Sequence, residues 1–227
     1  MKVSVVIPAL NEASRIERTL AAVSALSGPK EILVVDGGSA DATIRLATRW
    51  ARVLTSAPGR ATQMNAGAAA ATGEALFFLH ADTLPPPDAL AAIRSALADP
   101  AVEAGAFRLA FDRWTPLLRF YSYCTRFHRP SLCFGDRGLF VRRSLFEALG
   151  GFAPIPIFED LEIVRRLQGR GGFRFLPGYA VTAARRFERN GPFRQQMRNL
   201  YLWLHFMRGS DPERVAHLYR YSSEERG

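Results

Sequence analysis

The chain has 227 residues, 48% of them hydrophobic, and no stretch approaching about 18 uninterrupted apolar residues, so a packed core is expected and a membrane-spanning helix is not. Two cysteines, Cys124 and Cys133, without a CxxC or Cys/His spacing exclude a disulfide framework and speak against zinc, leaving two reduced structural thiols in a cytoplasmic chain as the expectation. The net charge of +9 lies in the second half, since residues 1–100 carry nine basic and nine acidic side chains and residues 101–227 carry twenty-one and twelve.

In chain order, Met1 leads directly into the strand-like Val3-Ser4-Val5-Val6-Ile7, which leaves no room for a signal peptide. Ile16, Leu20 and Val23 then recur at helical spacing. Ile32 to Val35 is a second buried strand, Gly37-Gly38-Ser39 turns the chain, and Asp41 is placed to cap a helix with Ile44, Ala47 and Trp50 on one side. Val53-Leu54 is a third strand, the alanine-rich stretch 61–71 a helix, Leu76 to Leu79 a fourth strand, and Asp88 to Leu97 another helix. This rhythm predicts a mostly parallel sheet with helices on both faces, whose ligands sit at the carboxyl ends of the strands. Val102 to Phe111, an aromatic segment at 114–127 and Leu139-Phe140-Val141 depart from it and form an elaboration on the first half. With no linker or repeat, the whole of 1–227 is taken as one domain, divided into a half at 1–100, a second half at 101–190 and a helical tail at 191–227.

The polar clusters fall just after the predicted strands: Asn11 and Glu12, then Asp36, Ser39 and Asp41, then Arg60, Gln63 and Asn65, then His80 and Asp82. Singly, each suits a turn or a cap; together they describe a polar site. Asp36 and Glu12 are acceptors fit for a base N–H and ribose hydroxyls, Asp82 suits a hard divalent cation, and Arg60 can meet phosphate oxygens. A nucleoside diphosphate fits all four. Neither a GxxxxGK[ST] loop nor a GxGxxG after the first strand is present, against an NTPase and a dinucleotide-dependent dehydrogenase.

Val5 to Glu12, Val35-Asp36-Gly37-Gly38-Ser39, Gly59-Arg60, Asn65-Ala66-Gly67 and Leu79-His80-Ala81-Asp82, followed by Gly150-Gly151-Phe152 and Phe158-Glu159-Asp160-Leu161-Glu162, resemble family-2 inverting glycosyltransferases in order and spacing. The resemblance covers roughly residues 1–190. It implies a GT-A (Rossmann-like) fold, a UDP-, GDP- or dTDP-sugar donor and a bridging Mg²⁺ or Mn²⁺. It places Pro8, Asn11 and Glu12 around the nucleoside, Asp36 on the base, Arg60 near base and diphosphate, and Asp82 on the metal, with Ser39, Asn65 and Ala81 completing the donor set. The family's metal motif is Asp-x-Asp, whereas this chain has His80-Ala81-Asp82, so His80 either touches donor or metal or packs at the strand end.

An inverting transfer needs a base for the acceptor hydroxyl, and the resemblance assigns Asp160, with Glu159 orienting a loop or the acceptor. Taken without it, Glu159, Asp160 and Glu162 read first as first-turn helix acids stabilised by the macrodipole. Arg185-Arg186 would meet the leaving diphosphate if the chain returns to the site, and Asp136-Arg137 is a second acceptor-side candidate. The Gln-x-x-Arg-Trp motif of processive members is absent, which favours a single transfer per encounter. A nucleotide-binding domain that transfers nothing and a sugar-nucleotide nucleotidyltransferase are the alternatives, although the latter's glycine-rich, lysine-bearing loop is missing.

The tail from Phe193 to Met207 carries Phe193, Met197, Leu200, Tyr201, Leu204 and Met207 in a stripe flanked by Arg194, Arg198 and Arg208. Core packing is the default for such a stripe. A homodimer interface or a membrane surface are the alternatives, the second giving a lipid-linked acceptor and a peripheral seat at the inner face of the membrane. No recognition motif accompanies the basic half, so no specific nucleic-acid partner is expected.

Overall fold

The computed structural model describes residues 1–113, 115–126 and 137–216. Its first half alternates as the apolar runs require: β1 (Val3–Ala9), α1 (Ile16–Ala25), β2 (Lys30–Asp36), α2 (Thr43–Ala47), β3 (Arg52–Thr55), α3 (Arg60–Ala70), β4 (Ala75–Phe78), the short β5 (Thr83–Leu84) and α4 (Ala89–Ala98). The second half runs β6 (Ala104–Phe111), α5 (Pro116–Cys124), β7 (Leu139–Arg142), α6 (Arg143–Ala148), α7 (Glu159–Gly169), β8 (Phe173–Thr182), α8 (Arg185–Asn190) and α9 (Pro192–Met207). No described helix is long and apolar enough to cross a membrane.

The strands form one sheet in the order β3-β2-β1-β4-β7-β6-β8-β5. β1, β2, β3 and β4 are mutually parallel where they pair. β7 runs against both β4 and β6, β8 is parallel to β6, and β5 closes the edge antiparallel to β8. The expected parallel half is therefore present, and one reversed strand joins it to a second parallel pair. Because β7 reverses between them, β4, β6 and β8 share a direction, and their carboxyl ends open on the same edge as those of β1 to β3.

Alternation along β1 sorts the core into two layers. Val3, Val5 and Ile7 pack with Leu20 and Val23 of α1 and Leu90, Ile93 and Leu97 of α4 on one face. Val6 packs with Met64 of α3, Phe146 of α6, and Ile163 and Val164 of α7 on the other. Each such side chain removed from water stabilises the fold by roughly 1.5–3 kcal/mol. α3 lies closest to the sheet at Gly67, where a Cβ would stand 2.3 Å from Val6 Cγ1. A smaller cluster of Leu118, Ala184 and Phe187, with Phe111 and Tyr121 against it, joins α5 and α8 beside the open edge.

The tail departs from the expected core packing. Phe193 is 69% exposed and Met197, Leu200, Tyr201, Leu204 and Met207 also face outward. α9 instead applies its opposite face, burying Gln195 and Leu202 and stacking Phe206 on Phe158 at 5.0 Å. Apolar periodicity identifies which residues share a face, but not which face the body accepts. α2 shows the same, with Ala47 buried while Ile44 and Trp50 stay exposed.

Candidate active site

A cavity of about 740 Å³ opens at the carboxyl edge of the sheet. Pro8, Ala9 and Glu12 enter it from the end of β1, His80, Ala81 and Asp82 from beyond β4, Phe111 from β6, and Thr182 from β8. Gly59 and Arg60 at the start of α3 close one side, and α8 and α9 close the other. Of the sequence candidates, Pro8, Glu12, Arg60, His80, Ala81, Asp82, Arg185 and Arg186 meet in this cavity.

At its centre, Arg185 Nη2 donates to Glu12 Oε1 at 2.6 Å and to Asp82 Oδ2 at 3.1 Å. Burial pulls the guanidinium pKa down, but Glu12 and Asp82 outweigh it and hold Arg185 above the usual arginine value. The second Glu12 oxygen is buried and has no hydrogen-bond partner among the described residues. A cation is thus held where two carboxylates converge, although no cluster of three or more metal-ligating side chains exists among the described residues.

The acids at the start of α7 face two different partners. Glu159 Oε1 lies 3.8 Å from Arg60 Nη1, and Asp160 Oδ2 lies 3.9 Å from His80 Nε2, with both carboxylates buried. The preceding Phe158 has φ 63, a conformation a bulky side chain rarely takes, which starts the helix abruptly and sets both acids in its first turn. Glu162 is engaged elsewhere, accepting from Arg166 at 2.7 Å, while Arg166 also reaches the carbonyls of Leu149 and Gly151.

The remaining donor candidates, Asn11, Asp36, Ser39 and Asn65, do not line the cavity and brace the loops beside it. Asp36 Oδ2 accepts from the Gly38 and Ser39 amides at 2.8 Å each, and Oδ1 from the Ser39 hydroxyl at 2.5 Å. Ser39 Oγ in turn accepts from the Asn11 amide at 2.9 Å, and Asn11 Oδ1 from the Ala40 amide at 2.9 Å, with Asn11 itself at φ 54. The Glu12 amide donates to Thr43 Oγ1 at 2.8 Å. The loops after β1 and β2 are thereby stitched together, which fixes Glu12. Gln63, buried under them, donates to the carbonyls of Ala9 and Val35 at 2.8 Å each. Asn65 does not line the cavity. It exchanges two hydrogen bonds of 2.9 Å with the backbone of Phe152 and clamps α3 to the Gly150-Gly151 turn.

Glycosyl transferase family 2 matches residues 4–154, from the start of β1 to just past that turn. The chain belongs to glycosyl transferase family 2. A Bacillus subtilis (strain 168) protein named as a probable glycosyltransferase, YdaM, is 30% identical over 216 residues, covering 80% of this chain and 50% of its own length. The chain thus spans half the length of that curated relative. Among solved structures, the Mycobacterium tuberculosis glucosyl-3-phosphoglycerate synthase shares the fold at a TM-score of 0.67 with 21% identity, over 92% of this chain and 81% of its own. The mannosyltransferase of Pyrobaculum calidifontis aligns at a TM-score of 0.58 with 25% identity, over 80% and 56%. The fold is GT-A.

In this family-2 chain Arg137 also falls away from the cavity. Arg137 is 1% exposed, donates to the Thr125 carbonyl and lies with its guanidinium 5.1 Å from the Phe175 ring centroid. Asp136 lies outside the described residues, as does Cys133; Cys124 is a free thiol. Conversely, Arg189, Asn190, Gln195, Arg198 and Asn199 line the cavity and were not legible as site residues. The one available signal was the polar face Gln195-Arg198-Asn199, at i, i+3 and i+4 opposite the apolar stripe.

Proposed function

We propose that this chain transfers a sugar from a nucleotide-diphosphate donor to an acceptor hydroxyl with inversion, assisted by a divalent cation. The observation that carries the reading is the convergence of Glu12, Asp82 and Arg185 in the cavity beside Arg60 and His80, the two residues that face Glu159 and Asp160. The Pyrobaculum relative was crystallised with GDP-Man and Mn²⁺, and the Mycobacterium enzyme with Mn²⁺, UDP and glucosyl-3-phosphoglycerate, which supports a donor and ion of these classes.

The nucleoside rests over the ends of β1 to β3, against Pro8 and Glu12, in a pocket whose shape Asn11, Asp36, Ser39 and Asn65 maintain. Asp82 would hold the cation, a task that the unpartnered Glu12 oxygen also fits. Bound there, Mg²⁺ or Mn²⁺ supplies charge neutralisation to the diphosphate. The acceptor oxygen attacks the anomeric carbon from the face opposite the diphosphate, and its proton passes to Asp160. The bond to the diphosphate oxygen breaks with its electron pair on that oxygen, where Arg185 meets the developing charge. Single displacement inverts the anomeric centre.

The test is nucleoside diphosphate release from a panel of UDP-, GDP- and dTDP-sugars with Mn²⁺. Release from one donor, abolished by chelation and by Asp82→Ala or Asp160→Asn, is expected. Turnover that survived both variants would overturn the mechanism. Tight binding without release would favour a non-catalytic nucleotide-binding domain, and pyrophosphate release from a nucleoside triphosphate a nucleotidyltransferase.

A further inference from the structure

We infer that the outward face of α9 is a docking surface for an anionic lipid membrane, on which the protein lies without crossing it. Among the described residues eleven large hydrophobic side chains are exposed, and six of them, Phe193, Met197, Leu200, Tyr201, Leu204 and Met207, share this one face. Scattered singly they would need no explanation. Gathered on one side of a helix and bordered by polar groups, they mark a contact. The opposite side of α9 is already engaged. Gln195 and Leu202 are buried there, with Gln195 accepting from Asn190 Nδ2 at 2.6 Å and donating to Asn199 Oδ1 at 2.7 Å. The helix cannot turn its apolar side inward without stripping a buried amide of its partners.

Charge selects the occupant. The segment from Pro192 to Arg208 contains no Asp or Glu, and its Arg194 and Arg208 are exposed. Arg208 follows Leu204 by four residues and Tyr201 by seven, and Arg194 precedes Met197 by three and Tyr201 by seven, so the two cations stand on the apolar side, at its two ends. The flanking acids stand apart: Glu188 is paired with Arg113 at 2.6 Å, and Asp211 and Glu213 follow the turn at Gly209. An apolar face edged by cations and free of carboxylates suits acyl chains beneath anionic headgroups. A second copy fits it poorly. Two-fold contact would set Arg194 against its own counterpart if the helices ran parallel, and against Arg208 if they ran antiparallel. At 16 residues the face is about 24 Å long and about 10 Å wide, less than half of the roughly 800 Å² that each partner of a stable interface buries. Lying flat on lipid, α9 would bring the cavity wall that Gln195 and Asn199 form to about 10 Å from the headgroups, one helix diameter.

Flotation with phosphatidylcholine vesicles, with and without phosphatidylglycerol, tests the contact in wild type, in Phe193→Ser/Leu200→Ser and in Arg194→Gln/Arg208→Gln. All four side chains are exposed and lie outside the cavity, so both variants should melt with wild type. Wild type is expected to float with phosphatidylglycerol and not without it, and each double variant to bind those vesicles at least about tenfold more weakly. Should the serine pair melt early, the arginine pair, which removes no apolar surface, carries the test. Wild type that does not float with phosphatidylglycerol, or flotation that either folded variant retains in full, overturns the inference. Concentration-dependent dimerisation in sedimentation equilibrium, lost in Phe193→Ser/Leu200→Ser and unaccompanied by flotation, gives the face to a second copy and overturns it too. The seat is independent of the donor chemistry: wild type that floats as expected but releases no nucleoside diphosphate would remove the transferase reading and leave the membrane contact standing.

Discussion

Arg185 Nη2 stands 3.1 Å from Asp82 Oδ2, so the carboxylate proposed to hold a divalent ion already has a cationic partner delivered from more than a hundred residues away. The pairing has two consequences with opposite signs. Removing the guanidinium leaves Asp82 free for an external cation, and it also removes a charge from the departing diphosphate. Arg185→Gln is therefore expected to tighten Mn²⁺ binding by the donor-free protein while lowering kcat about 10²-fold. Calorimetry without donor and steady-state kinetics read the two effects separately. Since Arg185 is held above the usual arginine pKa, neither should vary with pH between 6 and 9 through this group.

Asp160 and Asp82 should separate in kinetics. Asp160→Asn removes the proton acceptor but leaves the donor side intact, so kcat should fall by about 10²–10⁴ with little change in donor affinity. Asp82→Asn should weaken donor binding in Mn²⁺ and leave metal-free nucleotide binding nearly unchanged. Equal loss of donor affinity in both variants would argue that Asp160 shapes the donor pocket instead.

The donor half was legible because strands buried on both faces read as continuous apolar runs, as at Ile32 to Val35, and because local turn chemistry follows each of them. β8 was not. Pro177 and Gly178 lie inside it, and proline normally argues against a strand interior. The structure accommodates them in an irregularity where β8 advances from Phe175 to Tyr179 while β6 advances only from Ala106 to Arg108. Asn65 carries a different lesson. Its position after β3 suggested a ligand contact, yet its partner is the backbone of Phe152, 87 residues away. The encounters of His80 with Asp160, and of Arg185 with Glu12 and Asp82, depend on the same long-range closure. No local pattern encodes them.

The Asn65 clamp has a measurable cost. Asn65→Ala would strip partners from both the amide and the carbonyl of the buried Phe152, at about 1–3 kcal/mol for each group left unsatisfied. For a chain of this size, each kcal/mol lowers Tm by about 2–4 °C. Asn65→Asp keeps the acceptor for the Phe152 amide but sets an oxygen against its carbonyl, so calorimetric melting should rank it below wild type as well. Gly151→Ala should destabilise by the same route. A Cβ there would stand 2.6 Å from Asn65 Oδ1, on a residue with φ +74.

Far from the cavity, Glu31 should make the fold acid-sensitive. Burial pushes its carboxyl upward. Hydrogen bonds from Ser4, the Thr72 amide and the Thr72 hydroxyl, together with Lys2, outweigh burial and bring the pKa from the ordinary 4.5 down to about 2. The carboxylate pins the start of β2 to β1 and to the turn before β4, accepting from Thr72 N at 2.7 Å and Gly73 N at 3.0 Å. A carboxyl whose folded pKa is depressed contributes stability above the unfolded value and loses it as pH falls toward the folded one. That contribution should be complete above pH 4.5 and disappear on descent to about pH 2. Urea denaturation of wild type and Glu31→Gln should accordingly show the variant less stable at pH 7 and the two curves converging near pH 2. A constant gap across that range would place the role of Glu31 in its shape and hydrogen bonds, with no part for its charge.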